Sequence, residues 1–146
     1  MSTEENKAIA RRFFEEVWTK GNLSVADEVL DPNVILHDPR NPADDTIGRE
    51  AYKQFNVSFR SAFPDMTDTI EELIAEGDKV VVRWTIRATH RGQWQSMAPS
   101  GKQLTFGGIT ILRIVGGKIV DDRFQADLLG FMQQIGAIPS PSESGD

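Results

Sequence analysis

The sequence predicts an α+β fold in which helices come first and a run of antiparallel strands follows. Apolar side chains in the first part of the chain recur at helical spacing, whereas residues 68–126 alternate apolar and polar side chains, as strands do. Helices followed by strands are typical of a sheet that packs helices on one face. At 146 residues the chain has the size of one domain. We expect residues 1–138 to form it and residues 139–146, small and polar, to form a flexible tail.

The predicted helices have clear ends. Gly21 follows the first helix, and Pro64 ends the third because the residue before a proline avoids the helical conformation. Phe14 and Trp18 lie on the apolar side of the first helix, where residues serve as core and can also roof a pocket. The helices are predicted at residues 3–20, 23–29 and 48–63.

The strands carry several candidate pocket residues. His90 has the parity of the apolar face that Trp84 shares, so it is either a structural residue or part of a cavity rim. The loop after it, with Trp94, is either a lid, a subunit contact or a packed hairpin. Gly107-Gly108 inside the next strand predicts a bulge or bend that curls the sheet. The strands are predicted at residues 33–38, 68–75, 79–91, 102–115 and 118–126.

The most specific pattern lies near the C-terminus. Gly116-Gly117 predicts a hairpin turn, and Asp127 precedes a predicted helix at 128–135 that Gly136 closes. The pattern Gly-Lys-Ile-Val, an acid, four residues, then Asp-x-Leu-Gly-x-x-x-Gln-x-Gly resembles the SnoaL-like polyketide (ester) cyclase family. The resemblance implies an NTF2-like cone: a curved mixed or antiparallel sheet wrapped around N-terminal helices, with an internal pocket.

The resemblance also implies a catalytic acid/base at Asp127. From its position alone, Asp127 could instead only cap the last helix. His37, in a His-Asp-Pro segment similar to one in the family, and His90 are the other candidate catalytic residues. Arg123 stands where relatives commonly carry an aromatic residue, and Ala126 where they carry Phe; Arg123 would either lower the pKa of Asp127 or bind an anionic substrate oxygen. Candidate substrate contacts are Arg123, Trp18, Phe14, Trp84 and Phe106.

The implied reaction removes a proton next to a carbonyl and closes a ring by aldol addition, on a small apolar carbonyl compound and without a cofactor. The alternatives are an isomerase, an epoxide or ester hydrolase in which Asp127 and Arg123 activate water, and a non-catalytic ligand-binding module.

The composition of the chain limits the kinds of molecule that it is expected to bind. The net charge of −6 argues against nucleic acid and anionic membranes. No cysteine and only two histidines favour a metal-free protein, and no dinucleotide or phosphate-binding motif is present. The N-terminus is unlike a signal peptide and no apolar run reaches membrane-helix length, so a cytoplasmic protein is expected. Two strands are apolar on both faces, which predicts a homodimer through the outer face of the sheet.

Overall fold

The computed structural model describes residues 2–141, so the last part of the predicted tail, residues 142–146, lies outside the described residues. The helices are α1 (Thr3–Arg12), α2 (Leu23–Val29), α3 (Arg49–Ala62) and α4 (Leu128–Gln134). The strands are β1 (Leu30–His37), β2 (Thr46–Ile47), β3 (Thr67–Glu76), β4 (Lys79–Thr89), β5 (Gln103–Val115) and β6 (Lys118–Ala126). No helix within residues 2–141 is long and apolar enough to span a membrane.

The first helix begins at a capping box and ends in a wider turn. The Ser2 hydroxyl accepts from the Glu5 amide, and the Glu5 carboxylate accepts from the Ser2 amide, which satisfies two otherwise unpaired N–H groups. After α1 the chain continues as a π-helical segment, Phe13–Thr19, which buries Phe14 and Trp18. Such wide turns are frequent at functional sites, and this one packs against β3.

The sheet has the order β2-β1-β6-β5-β4-β3. The β1–β6 pair is parallel, while the other pairs described within residues 2–141 are antiparallel. The concave face holds the core residues and faces the helices. The predicted α+β class, with a curved mixed sheet wrapped around N-terminal helices, is therefore confirmed.

Register shifts decide which side chains face inward. In β6 the pairing with β5 shifts at Val120, between the Ile114–Ile119 and Arg113–Asp121 pairs. In β3 it shifts between Ile70 and Glu72. A bulge leaves one residue unpaired and reverses the parity beyond it. As a result Asp122, not Asp121, faces the core.

The prediction at Gly107-Gly108 was a bulge or a bend; the bulge is wrong, because both residues pair in unbroken register with Thr85 and Trp84. Gly108 instead provides space. A Cβ atom there would overlap the ring of Trp84 and lie 2.6 Å from the carbonyl oxygen of Gln125. The indole of Trp84 therefore lies directly over the backbone of β5, with its N–H donating to Thr110 at 2.9 Å.

The outer face of the sheet carries a row of aliphatic side chains. Ile74, Val81 and Ile111 lie opposite one another on three neighbouring strands. Ile74 is 57% exposed and Ile111 40% exposed. Exposed apolar rows of this kind are typical of subunit contacts, so the homodimer stays a prediction with a defined surface.

Candidate functional site

A cavity of about 90 Å³ lies between the concave face of the sheet and the helices. Its wall is largely aromatic and includes the four predicted aromatic contacts, Phe14, Trp18, Trp84 and Phe106. The rest of the wall is formed by Arg40, Tyr52, Phe55, Phe59, Asp68, Ile86, Trp94, Thr110, Asp122, Phe124, Ala126, Leu128 and Phe131. The cavity therefore combines apolar walls with a small number of polar groups, the usual composition of a small-molecule site.

Asp122, on β6, is the best-positioned acid in this cavity. It is 3% exposed, and the Tyr52 hydroxyl donates to its Oδ2 at 2.6 Å. Tyr52 in turn accepts from the indole N–H of Trp18 at 3.3 Å. The other oxygen, Oδ1, is buried and has no hydrogen-bond partner among residues 2–141. One oxygen is thus fixed by Tyr52, while the second is buried without a partner in the described part of the chain.

The surroundings of Asp122 raise the pKa of its carboxyl group towards neutral pH. Burial raises its pKa to about 7, the hydrogen bond from Tyr52 and the nearby His37 lower it, and the negative charge of Asp121 raises it. Removing a carboxylate from water disfavours its charged form. Near neutral pH the carboxyl therefore exists in both protonation states, which is the condition for a general acid/base.

A second buried acid, Asp68 on β3, lines the same cavity. It is 8% exposed, and burial, followed by the charge of Asp122, raises its pKa well above the ordinary value. Its Oδ1 has no hydrogen-bond partner in the part of the chain that the structure describes. The cavity thus contains two carboxyl groups, each with an unpaired oxygen.

Arg40 lies at the mouth of the cavity. Its guanidinium group stacks over the rings of Phe55 at 5.4 Å and Trp94 at 5.1 Å, as cations do on aromatic faces. The Asp38 carboxylate fixes it through bonds to Nε at 3.1 Å and Nη2 at 2.6 Å. The loop after β1 therefore contributes one arginine to the cavity, and Trp94, in the loop after β4, is a buried wall residue.

The structure corrects the expected orientation of Asp127. Its side chain is exposed, it is not part of the cavity wall, and its Oδ1 accepts from the Gly130 amide at 2.9 Å as the N-cap of α4. Beyond the bulge at Val120, the inward face of β6 carries the even-numbered residues, so Asp127 points outward. The contacts of Asp127 are those of a helix cap, which was the alternative interpretation of this residue.

Arg123 also lies on the outer face of β6, for the same reason. Its side chain is 64% exposed and lies 3.5 Å from the Asp121 carboxylate, whereas it makes no part of the cavity wall. Arg123 is therefore not a wall residue of this cavity, and its contact with a substrate stays a prediction.

Both histidines lie outside the cavity wall. His37 is held between Asp45 and Asp121, at 2.9 and 3.0 Å, and it acts on Asp122 only through its charge. His90 is fully buried, bonds Ser100 through Nδ1 at 2.9 Å and so fixes the loop after β4. The catalytic roles of His37 and His90 stay predictions without a position on this cavity wall. Within residues 2–141, no cluster of three or more Asp, Glu or His is arranged to hold a metal ion.

These features define a class: an NTF2-like α+β protein with a largely aromatic cavity and buried acids on its wall. Residues 8–135 match the family model of the SnoaL-like polyketide cyclases. The chain belongs to the SnoaL-like polyketide cyclase family.

Curated relatives extend this assignment over the full length of the chain. The aklanonic acid methyl ester cyclase DnrD of Streptomyces peucetius is 30% identical, over 99% of this chain and 98% of its own. The cyclase of the same name, DauD, from Streptomyces sp. strain C5 is 29% identical, over 94% of this chain and 84% of its own.

Solved structures agree with the fold. A SnoaL-like protein from Jannaschia sp. CCS1 superposes with a TM-score of 0.84 at 26% identity, covering 94% of this chain and 95% of its own. A polyketide-cyclase-type protein from Acidithiobacillus ferrooxidans gives a TM-score of 0.82 at 33% identity, covering 94% and 99%.

Proposed function

We propose that this protein is a cofactor-independent acid/base catalyst, an ester cyclase in which Asp122 moves the proton. The substrate class is a small, largely apolar carbonyl compound with a planar or aromatic part. The observation that carries the proposal is the Asp122 carboxyl: buried in the cavity wall, fixed through Oδ2 by Tyr52, and unpaired at Oδ1.

The first step is enolisation. The Asp122 carboxylate, through Oδ1, takes a proton from the carbon next to the substrate carbonyl. The electron pair of that C–H bond forms the C=C bond of the enolate, and the carbonyl oxygen gains the negative charge. A base is most effective when its pKa lies near the working pH, and that of Asp122 is raised to about 7 by burial. The Tyr52 hydroxyl stays on Oδ2 and orients the carboxyl.

The second step closes the ring. The enolate carbon attacks a second carbonyl carbon of the same molecule, a carbon–carbon bond forms, and the oxygen of that second carbonyl becomes an alkoxide. The alkoxide takes back the proton from Asp122, which restores the carboxylate. The two steps together consume and release no electrons and no net protons, so the reaction requires no redox cofactor. An aromatic cavity that excludes water protects the enolate from early reprotonation.

Two observations support the substrate class. The relatives named above are aklanonic acid methyl ester cyclases. Nine Phe or Trp side chains line this cavity: Phe14, Trp18, Phe55, Phe59, Trp84, Trp94, Phe106, Phe124 and Phe131. The cavity volume of about 90 Å³ favours a small compound, since drug-sized ligands occupy pockets of about 300 Å³ or more.

The test uses two probes, because ring closure and enolisation can be followed separately. Acetophenone in D₂O reports enolisation as deuterium exchange at its methyl group by NMR, and 2,6-heptanedione, a small diketone, reports ring closure by intramolecular aldol addition, followed by liquid chromatography. We expect both with the wild-type protein and neither with Asp122→Asn. One oxyanion-type or base contact removed from such a site costs about 10²-fold or more in rate.

Asp127→Asn is the matched control. It also removes one carboxylate, but at the exposed N-cap, where Asn can still accept the Gly130 amide. We expect unchanged turnover. Loss of activity in Asp127→Asn with retention in Asp122→Asn would return the catalytic role to Asp127. Binding of both probes with no exchange and no ring closure would favour the non-catalytic binding module.

A further inference from the structure

Asp68 has no structural explanation of its own. Its backbone is well held, since its N–H donates to the Thr19 hydroxyl at 2.9 Å and its carbonyl accepts from that hydroxyl at 3.4 Å. Its side chain, by contrast, is buried in the cavity wall with Oδ1 unpaired among residues 2–141. A buried acid without a partner destabilises a fold, so the carboxyl does not serve packing.

The neighbours of Asp68 explain its protonation state. It lies opposite Ile86 on β4 and lines the cavity together with Trp18 and Trp84. No side-chain or backbone N–H described within residues 2–141 donates to its carboxyl, whereas Tyr52 donates to Asp122. Asp122 is therefore the acid that ionises first, and its negative charge then holds the proton on Asp68 more firmly.

The two acids are carried by different walls of the cavity. Asp122 lies on β6 next to α3, and Asp68 lies on β3 next to the π-helical segment; β5 and β4 separate the two strands in the sheet. Both groups nevertheless line the same cavity. One offers a lone pair and the other, when protonated, offers an O–H group.

We propose that Asp68 is a second catalytic residue, a neutral carboxylic acid that donates a hydrogen bond to the substrate carbonyl oxygen. The role rests on the proposed function and deepens it. As Asp122 removes the proton next to the carbonyl, negative charge moves to the oxygen, and the O–H of Asp68 stabilises that charge without giving up its proton. A donor placed where charge develops contributes more in a dry cavity than in water.

The proposal also restricts the ligand. An oxygen atom that gains negative charge must lie on the Asp68 side, and the acidic C–H must lie on the Asp122 side. Ketones and esters that carry a hydrogen on the carbon next to the carbonyl meet this requirement. A carboxylate ligand does not, since it would bring a full charge beside Asp122 whenever that acid is ionised.

A binding experiment tests the donor without any turnover. The probe is 4-nitrophenolate, a planar aromatic oxyanion whose visible absorbance reports its ionised form. Asp122→Asn serves as the background, because the neutral amide imitates Asp122 after it has taken up the proton. We expect Asp122→Asn to bind the phenolate, and the added Asp68→Asn change, which keeps an N–H donor, to cost about threefold. The added Asp68→Leu change should cost about 10- to 100-fold.

The pH dependence is the second readout. Phenolate affinity in the Asp122→Asn background should fall at high pH, when Asp68 loses its proton and repels the anion, and should not fall in the double variant with Asp68→Asn. Equal affinity with Asp68, Asn or Leu at this position would overturn the proposal, and so would tighter binding after Asp68→Leu. Failure of the Asp122→Asn protein to bind the phenolate would overturn it as well.

Failure of the donor proposal is distinct from failure of the proposed function. Enolisation and ring closure are judged by turnover and by its loss in Asp122→Asn, whereas phenolate binding involves no proton transfer from carbon. Turnover that survives Asp68→Leu at full rate would remove Asp68 from the mechanism and leave Asp122 in place. Phenolate binding that depends on Asp68, without turnover of either substrate, would leave the Asp68 donor in place and reject the proposed reaction at Asp122.

Discussion

Asp122→Asn should make the protein more stable at neutral and alkaline pH. Burial raises the pKa of Asp122 from 3.8 to about 7, so the folded protein retains a proton that the unfolded chain has already released. The free energy of unfolding is therefore highest below the pKa of Asp122 in the unfolded chain. It decreases as the pH rises towards the pKa of Asp122 in the folded protein. About three pH units at about 1.4 kcal/mol each give a destabilisation of about 4 kcal/mol above neutral pH.

Asparagine removes this penalty but not every cost of the site. Its carbonyl can still accept the Tyr52 hydroxyl, while its NH₂ group replaces the unpaired oxygen and stays without a partner, at about 1–3 kcal/mol. We expect Asp122→Asn to be about 2 kcal/mol more stable than the wild type at about pH 8 and no more stable at about pH 4. Burial, the larger cause of the raised pKa of Asp68, is the same in both proteins, whereas the smaller contribution from the charge of Asp122 is lost with Asn.

Urea unfolding of both proteins across this pH range, at constant ionic strength, measures the difference in the free energy of unfolding. Asp127→Asn is the control, because it removes an exposed carboxylate and should give no pH-dependent difference. A stability difference that stays constant or shrinks with rising pH would refute the assignment of a raised pKa to Asp122. A changed urea slope would mean that the comparison no longer involves the same unfolding reaction.

Three further results are expected. Tyr52→Phe removes the hydrogen bond that lowers the pKa of Asp122, so the acid limb of the rate–pH profile should move to higher pH; an unmoved limb would contradict the orienting role of Tyr52. Gly108→Ala should destabilise by about 1–3 kcal/mol through overlap with the indole above it, and Gly107→Ala, which has more room, should cost less in thermal unfolding. Ile111→Glu should convert a dimer to a monomer in sedimentation; a wild-type monomer at micromolar concentration would refute the dimer.

The fold could be predicted because its signals are local. Helix ends follow from Gly21 and Pro64, and alternation along residues 79–89 identifies a strand without knowledge of its neighbours. Gly116-Gly117 predicts a hairpin, and Gly116 and Gly117 adopt the positive φ values of 58° and 80° that such turns need. Each of these properties depends on a few consecutive residues.

The inward position of Asp122, the acid proposed here, was not predicted because it depends on a bulge. With uniform alternation, Ile119 would share a face with Arg123 and Asp127; the shift at Val120 instead places Ile119 and Asp122 on the inner side. One signal was available. Asp122 has the parity of Phe124 and Ala126, and a charged residue on an otherwise apolar face is uncommon unless it has a function.

Asp68 and Asp127 show two further reasons why the site could not be predicted from the sequence. Asp68 lies far from Asp122 in the chain, and only the curvature of the sheet brings both to one cavity, which no local pattern encodes. An Asp before a helix serves equally as an N-cap and as an acid/base in a sequence motif. For Asp127 the resemblance to a family suggested the second role, and the contacts show the first.

The distribution of chromophores has an optical consequence. All three tryptophans of the chain and its single tyrosine lie on the cavity wall, as Trp18, Trp84, Trp94 and Tyr52. The entire near-ultraviolet emission of the protein therefore originates within contact distance of a bound molecule. An unlabelled sample reports occupancy of the site by quenching or a shift of its intrinsic fluorescence, so compound libraries can be screened for the natural ligand before any reaction is known.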